Sequence, residues 1–131
     1  MFQYQWEAYA QIIDMGYESN RYKANVVRWI DGDTVELLVD LGQSVCVVGK
    51  YRLARIDAPE TRLKSGVTAD EKRRGLALRE ELNALYPKHT QLSISTTKKG
   101  KYGRYLIEIF IPETGANLND WLLETGKADP Y

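Results

Sequence analysis

A five-stranded antiparallel β-barrel with two or three short helices, mainly β within an α+β class, is the fold this sequence predicts. Three observations point there. A meander of three β-type runs fills residues 22–56. A capped helix follows at residues 68–85, and two further β-type runs, 90–97 and 105–111, come after it. A five-stranded barrel with its helix between the third and fourth strands is the OB-fold arrangement. Residues 1–21 then form an N-terminal extension and residues 22–131 one compact domain.

Each element has its local reason. In the extension, Trp6, Tyr9, Ile12 and Ile13 fall at helical spacing, with Gly16 available to end the helix. Asn25–Ile30 and Thr34–Val39 flank Asp31-Gly32-Asp33, and Asp-Gly between apolar runs is a hairpin signal. A second turn near residues 40–44 leads into a long β run, Val45–Ile56, that Pro59 terminates. Thr68-Ala69-Asp70-Glu71 is a capping-box pattern, after which Leu78, Leu82 and Leu85 make one stripe that the spacing buries and Pro87 stops the helix. Asn117 caps a last short helix carrying Leu118, Trp121 and Leu122, which Gly126 closes.

The chain has 131 residues, enough to build a core without metal or disulfide staples. With 18 Lys+Arg against 18 Asp+Glu, overall charge argues for no polyanion partner, so any steering comes from local clusters. Cys46, set among valines, reads as a small buried hydrophobe. A thiol nucleophile is disfavoured, because the single histidine, His89, lies in a polar turn. The N-terminus lacks the basic start and apolar run of a secretory leader, and no run approaches the ~18 apolar residues of a membrane span. The expectation is a cytoplasmic monomer without a membrane partner.

Chemistry-bearing residues recur beside turn-forming ones. Asp31 and Asp33 sit at the first hairpin, where Asp-Gly-Asp taken alone is only a turn. An EF-hand is excluded, since its pattern requires glycine at Glu36 and glutamate at Gly42. Arg52 and Asp57 are an odd number of residues apart, which in a straight strand puts them on opposite faces. They reach one site only if the chain bends before Pro59. Glu60 is either a solvated carboxylate or a group that positions water. Lys98, Lys99, Lys101 and Arg104, interleaved with Tyr102, form a basic turn that is either solvated or shaped for phosphate contact and base stacking. Paired hard carboxylates suit a hard cation, and guanidinium forks suit phosphate oxygens.

Taken in order, Ile30-Asp31-Gly32-Asp33-Thr34-Val35, Arg52-Leu53-Ala54-Arg55-Ile56-Asp57-Ala58-Pro59-Glu60-Thr61, Lys101-Tyr102-Gly103-Arg104 and the 117–128 region resemble the staphylococcal nuclease-like (thermonuclease) family across residues 22–131. The resemblance implies an OB-fold and a calcium-dependent endonuclease that cleaves DNA and RNA, single strands preferred. Cleavage would fall at the 5′ P–O bond and leave 3′-phosphate ends. It implies Asp33, Asp57 and the Ala58 carbonyl as Ca2+ ligands, with Asp31 acting through water. Arg52 and Arg104 would hold the scissile phosphate, Glu60 would orient or deprotonate water, and Lys101, Tyr102 and Tyr131 would contact substrate. The family often has Thr where this chain has Ala58, and the sequence stops at Tyr131, short of the family's final helix. The extension before residue 22 is available to cover the barrel in that helix's place. A non-catalytic nucleic-acid- or protein-binding module on the same fold is the alternative; it predicts loss of some of Asp33, Arg52, Asp57, Glu60 and Arg104, and all five are present.

Overall fold

The structure, a computed structural model, describes residues 20–99 and 104–131. Strands β1 (Asn20–Asp31), β2 (Thr34–Gly42) and β3 (Val45–Leu53) form the expected meander. A short strand β4 (Ile56–Asp57), helix α1 (Ala69–Leu85), β5 (Gln91–Lys99), β6 (Tyr105–Phe110), helix α2 (Leu118–Glu124) and a short β7 (Asp129–Pro130) follow. The first three strands close with β6 and β5 into a barrel in the order β1-β2-β3-β6-β5, while β4 and β7 pair separately. The helix expected at residues 6–16 lies outside the described residues. Among the described residues, no helix is long and apolar enough to cross a membrane.

Four of the barrel's five seams are antiparallel, and the β3–β6 seam is parallel. The reason is parity: directions cannot alternate all the way around a ring with an odd number of members, so one pair must run the same way. That pair joins Arg52 to Leu106 and Leu53 to Ile107.

Alternation decides what the barrel buries. Val26, Val35, Leu37, Leu53, Ile94 and Ile109 point inward with essentially no exposure, and Leu82 and Leu122 of the two helices pack into the same core. The Thr68 hydroxyl caps α1 by accepting from the Glu71 amide, as the sequence predicts. Leu78 and Leu82 are buried but Leu85 is half exposed. Leu85 is the helix's last residue, and Tyr86 takes its place against the core while its carbonyl accepts from the Trp29 indole at 3.1 Å.

Two further expectations are corrected. The third strand stops at Leu53, because Arg55 adopts the left-handed conformation (φ +69°) and turns the chain before β4. Cys46 is exposed, as are Val45, Val47 and Val48, because the end of the β2–β3 ribbon runs past the barrel wall.

Candidate active site

The site grows from the first hairpin and the turn after β3. Asp31 pairs with Thr34 across Gly32-Asp33. Glycine is required at position 32 for room, since a Cβ there would sit 2.4 Å from Leu78 Cδ2 and 2.9 Å from the Ala58 Cβ. The absence of that methyl lets α1 and the 58–60 segment close down on the turn. Asp33 is consequently buried, an environment that an ionised carboxylate tolerates only with partners. Its Oδ2 accepts from the Ala58 amide at 3.0 Å and from Arg52 Nη1 at 2.8 Å, and its Oδ1 accepts from the Thr34 hydroxyl at 3.1 Å.

Arg52 reaches this cluster because of the bend. Its Nη2 donates to the Ile56 carbonyl at 3.1 Å and stands 3.7 Å from Asp57 Oδ1. Arg52 and Asp57, which a straight strand would separate, therefore share one site. Burial works to lower the Arg52 pKa, but the hydrogen bond and charge of Asp33, with Asp57, carry it upward. The guanidinium stays charged. The Tyr131 ring lies 5.1 Å from its carbon, a cation–π distance, and the Tyr131 amide donates to the Arg55 carbonyl.

Two supports hold the bend, and neither was foreseen from the sequence. Asn119 has no exposure: its Nδ2 donates to the Ala54 and Ile107 carbonyls, and its Oδ1 accepts from the Ile109 amide. The strained Arg55 is tied to Glu108 through two nitrogens, at 3.0 and 2.7 Å, and to Asp120 at 2.7 Å. A polar residue one place inside a capped helix gave no sign of either role.

Arg104 comes to the cluster from its position just before β6, with Nη1 3.4 Å from the Thr34 hydroxyl. Glu60 stands on the α1 side. Its amide donates to Glu71 Oε2 at 3.1 Å, so the capping-box glutamate is spent on the Glu60 loop. Its carboxylate pairs with Lys64 at 3.2 Å. Gly75 makes this approach possible, since a Cβ there would lie 2.2 Å from the Glu60 carbonyl oxygen. A glycine inside a helix was the signal in the sequence that could have shown it. Asp31 accepts from the Thr61 hydroxyl. Lys101 and Tyr102 lie outside the described residues.

Asp57 carries the electrostatic signature of the site. Although its side chain is more than half exposed, its pKa is raised above the ordinary 3.8, first by partial desolvation against the neighbouring chain, then by the negative charge of Asp33, with Glu60 and Asp129 adding to it and Arg52 opposing. Asp129 is its direct neighbour across the β4–β7 pair, a second carboxylate that the sequence reading missed. Among the described residues, no group of three His, Cys, Asp or Glu side chains stands ready to hold a metal. The donor chemistry nonetheless fits a hard cation: two carboxylates, Asp33 and Asp57, flank a main-chain segment, and the crowding that raises the Asp57 pKa is what a cation would relieve.

The sequence is similar to known proteins over most of its length. The family model described as staphylococcal nuclease homologue matches residues 50–131, a span that includes Arg52, Asp57, Glu60, Arg104 and Tyr131. A protein from Escherichia coli O157:H7 named as an uncharacterized endonuclease is 29% identical over 106 residues, 81% of this chain and 59% of the relative. The micrococcal nuclease of Shigella flexneri is 32% identical over 117 residues, 84% of this chain and 59% of its own length. Endonuclease YhcR of Bacillus subtilis is 32% identical over 114 residues, 84% of this chain but 9% of the relative. The chain thus spans 59% of the length of the first relatives it matches.

Proposed function

The chain belongs to the staphylococcal nuclease homologue family, and we propose that it is a calcium-dependent endonuclease that hydrolyses DNA and RNA with little sequence specificity. The observation that carries this reading is the placement of Arg52, one guanidinium bridging the buried Asp33 and the exposed Asp57 with Arg104 arriving from its position just before β6. Acidic and guanidinium groups converge at one point, as a phosphodiester anion bound beside a cation requires.

In this reading Asp33, Asp57 and the Ala58 carbonyl would hold the cation, with Asp31 contributing through water. Bound there, Ca2+ would neutralise the carboxylates and polarise a phosphoryl oxygen. Arg52 and Arg104 donate to the phosphoryl oxygens, where negative charge builds as the attacking water adds to phosphorus. Glu60 orients that water and takes its proton. Its ion pair with Lys64 is more than a third exposed on both sides and weakly held, so it yields readily to substrate. The P–O5′ bond breaks and the departing 5′ oxygen takes a proton from solvent, leaving a 3′-phosphate and a 5′-hydroxyl. Tyr131, Lys101 and Tyr102 contact the flanking nucleotides, favouring single strands whose bases are free to stack.

The test is digestion of single-stranded DNA and RNA with calcium, with magnesium or with EDTA, alongside Glu60→Ala and Arg104→Ala. Calcium should support cleavage, EDTA should abolish it, and each variant should fall by roughly 10²–10³. Undiminished cleavage by the double variant overturns the site assignment. Binding without cleavage in every cation points to a non-catalytic module instead.

A further inference from the structure

At the far end of the β2–β3 ribbon the inward-facing row continues beyond the barrel and nothing among the described residues covers it. Leu41 and Val47 are exposed there (47% and 39%), and Tyr105 (45%) stands beside them. With Tyr22 and Tyr51 they line an open cleft. Tyr51 lies back along its own strand toward the ribbon end, its ring 3.3 Å from where a Gly49 Cβ would be. Apolar side chains of this size, gathered on one face, mark a surface that something covers.

The start of β1 says what. Asn20 pairs with Thr96, and Thr96 lines the same cleft, as does Tyr22, two residues further on. Residues 1–19 therefore join the barrel at the cleft's edge. Their sequence carries Trp6, Tyr9, Ile12 and Ile13 at helical spacing, which would form an apolar stripe on a helix. From Ile13 to Asn20 the chain can span at most about 25 Å, so the stripe is tethered within reach of the cleft. Tethering raises its effective concentration to about the millimolar range, against which a free partner must compete.

We infer that residues 1–19 dock through Trp6, Tyr9, Ile12 and Ile13 into the cleft formed by Tyr22, Leu41, Val47, Tyr51 and Tyr105. The occupant is the chain's own segment rather than a second copy or a nucleic acid. Two of the cleft tyrosines, Tyr51 and Tyr105, directly adjoin Arg52 and Arg104 in sequence, so the docked segment would steady β3, which carries Arg52, and the start of β6, which Arg104 immediately precedes.

Cys46 supplies the test. It is the chain's single cysteine, it is exposed, and it lies next to Val47 on the opposite face of the ribbon, so a nitroxide attached there leaves the cleft free. In the full-length tagged chain, the Trp6 indole N–H resonance should be broadened away. It should return in Leu41→Asp/Val47→Asp. It should return equally in Ile12→Asp, which alters the segment and leaves the barrel's own residues untouched. Mixing tagged unlabelled chain with untagged isotope-labelled chain isolates contacts between copies, and there the Trp6 signal should stay sharp. A sharp Trp6 signal in the tagged full-length chain overturns the proposal. So does broadening that survives both variants, because the segment would then lie elsewhere. Broadening that appears in the mixed sample assigns the cleft to a second copy and equally overturns it.

Discussion

The two ends of one β-ribbon behave as opposites. At the end made by Thr34 and Arg52, α1, the β3–β4 turn and β7 converge, and even a carboxylate as buried as Asp33 finds three donors. At the end made by Asp40 and Cys46, apolar residues face solvent on both sides of the ribbon. The residue alternation is the same along the whole ribbon. What differs is the third element packed on it, so burial here is set by tertiary neighbours rather than by the strand's own pattern.

The contrast can be broken most forcefully at its polar end. Asn119→Ala removes a fully buried amide and leaves the Ile109 amide and the Ala54 and Ile107 carbonyls short of a partner, so denaturant unfolding should show a loss of about 3 kcal/mol. Gly75→Ala forces a methyl group against the Glu60 carbonyl. It should cost about 1–3 kcal/mol, with cleavage falling further than stability alone explains, because the Glu60 loop must move.

A smaller effect has a distinctive sign. The Asp57 pKa is raised in the folded chain, so its contribution to stability is fully present below 3.8 and is lost as pH rises through the raised value. Asp57→Asn should therefore raise the Tm at neutral pH without added cation, and the two chains should converge below pH 3.8. The variant should also gain less stability from added calcium and lose cleavage. A neutral-pH Tm below that of the parent chain would mean that the 3.7 Å contact with Arg52 outweighs the crowding. At the apolar end, Val48→Thr alters a residue 61% exposed on the ribbon's outer face and should shift stability by no more than about 0.5 kcal/mol.

The unequal legibility of the chain follows the same divide. Strands, caps and the order of elements are local or periodic, and the Asp-Gly turn, the Thr68 cap and the Asn117 cap appear where their residues place them. The need for a bend between Arg52 and Asp57 also followed from spacing. Its cause did not: an arginine with positive φ is stabilised by Glu108 and Asp120, 53 and 65 residues away. Glu71 looked like half of a capping box and instead holds the Glu60 amide, while Cys46 looked buried because valines surround it in sequence. Each difference arises where a distant element competes with a local rule.

The central claim is that the bend after β3 creates the site by delivering the Arg52 fork to Asp33 and Asp57. Arg52→Lys keeps the charge but replaces the planar fork with a single ammonium, so the most direct measurement is its turnover of single-stranded DNA in calcium, with folding checked by circular dichroism. The account predicts a folded protein whose kcat falls by at least about 10². A folded Arg52→Lys variant cleaving at nearly the parent rate would contradict it.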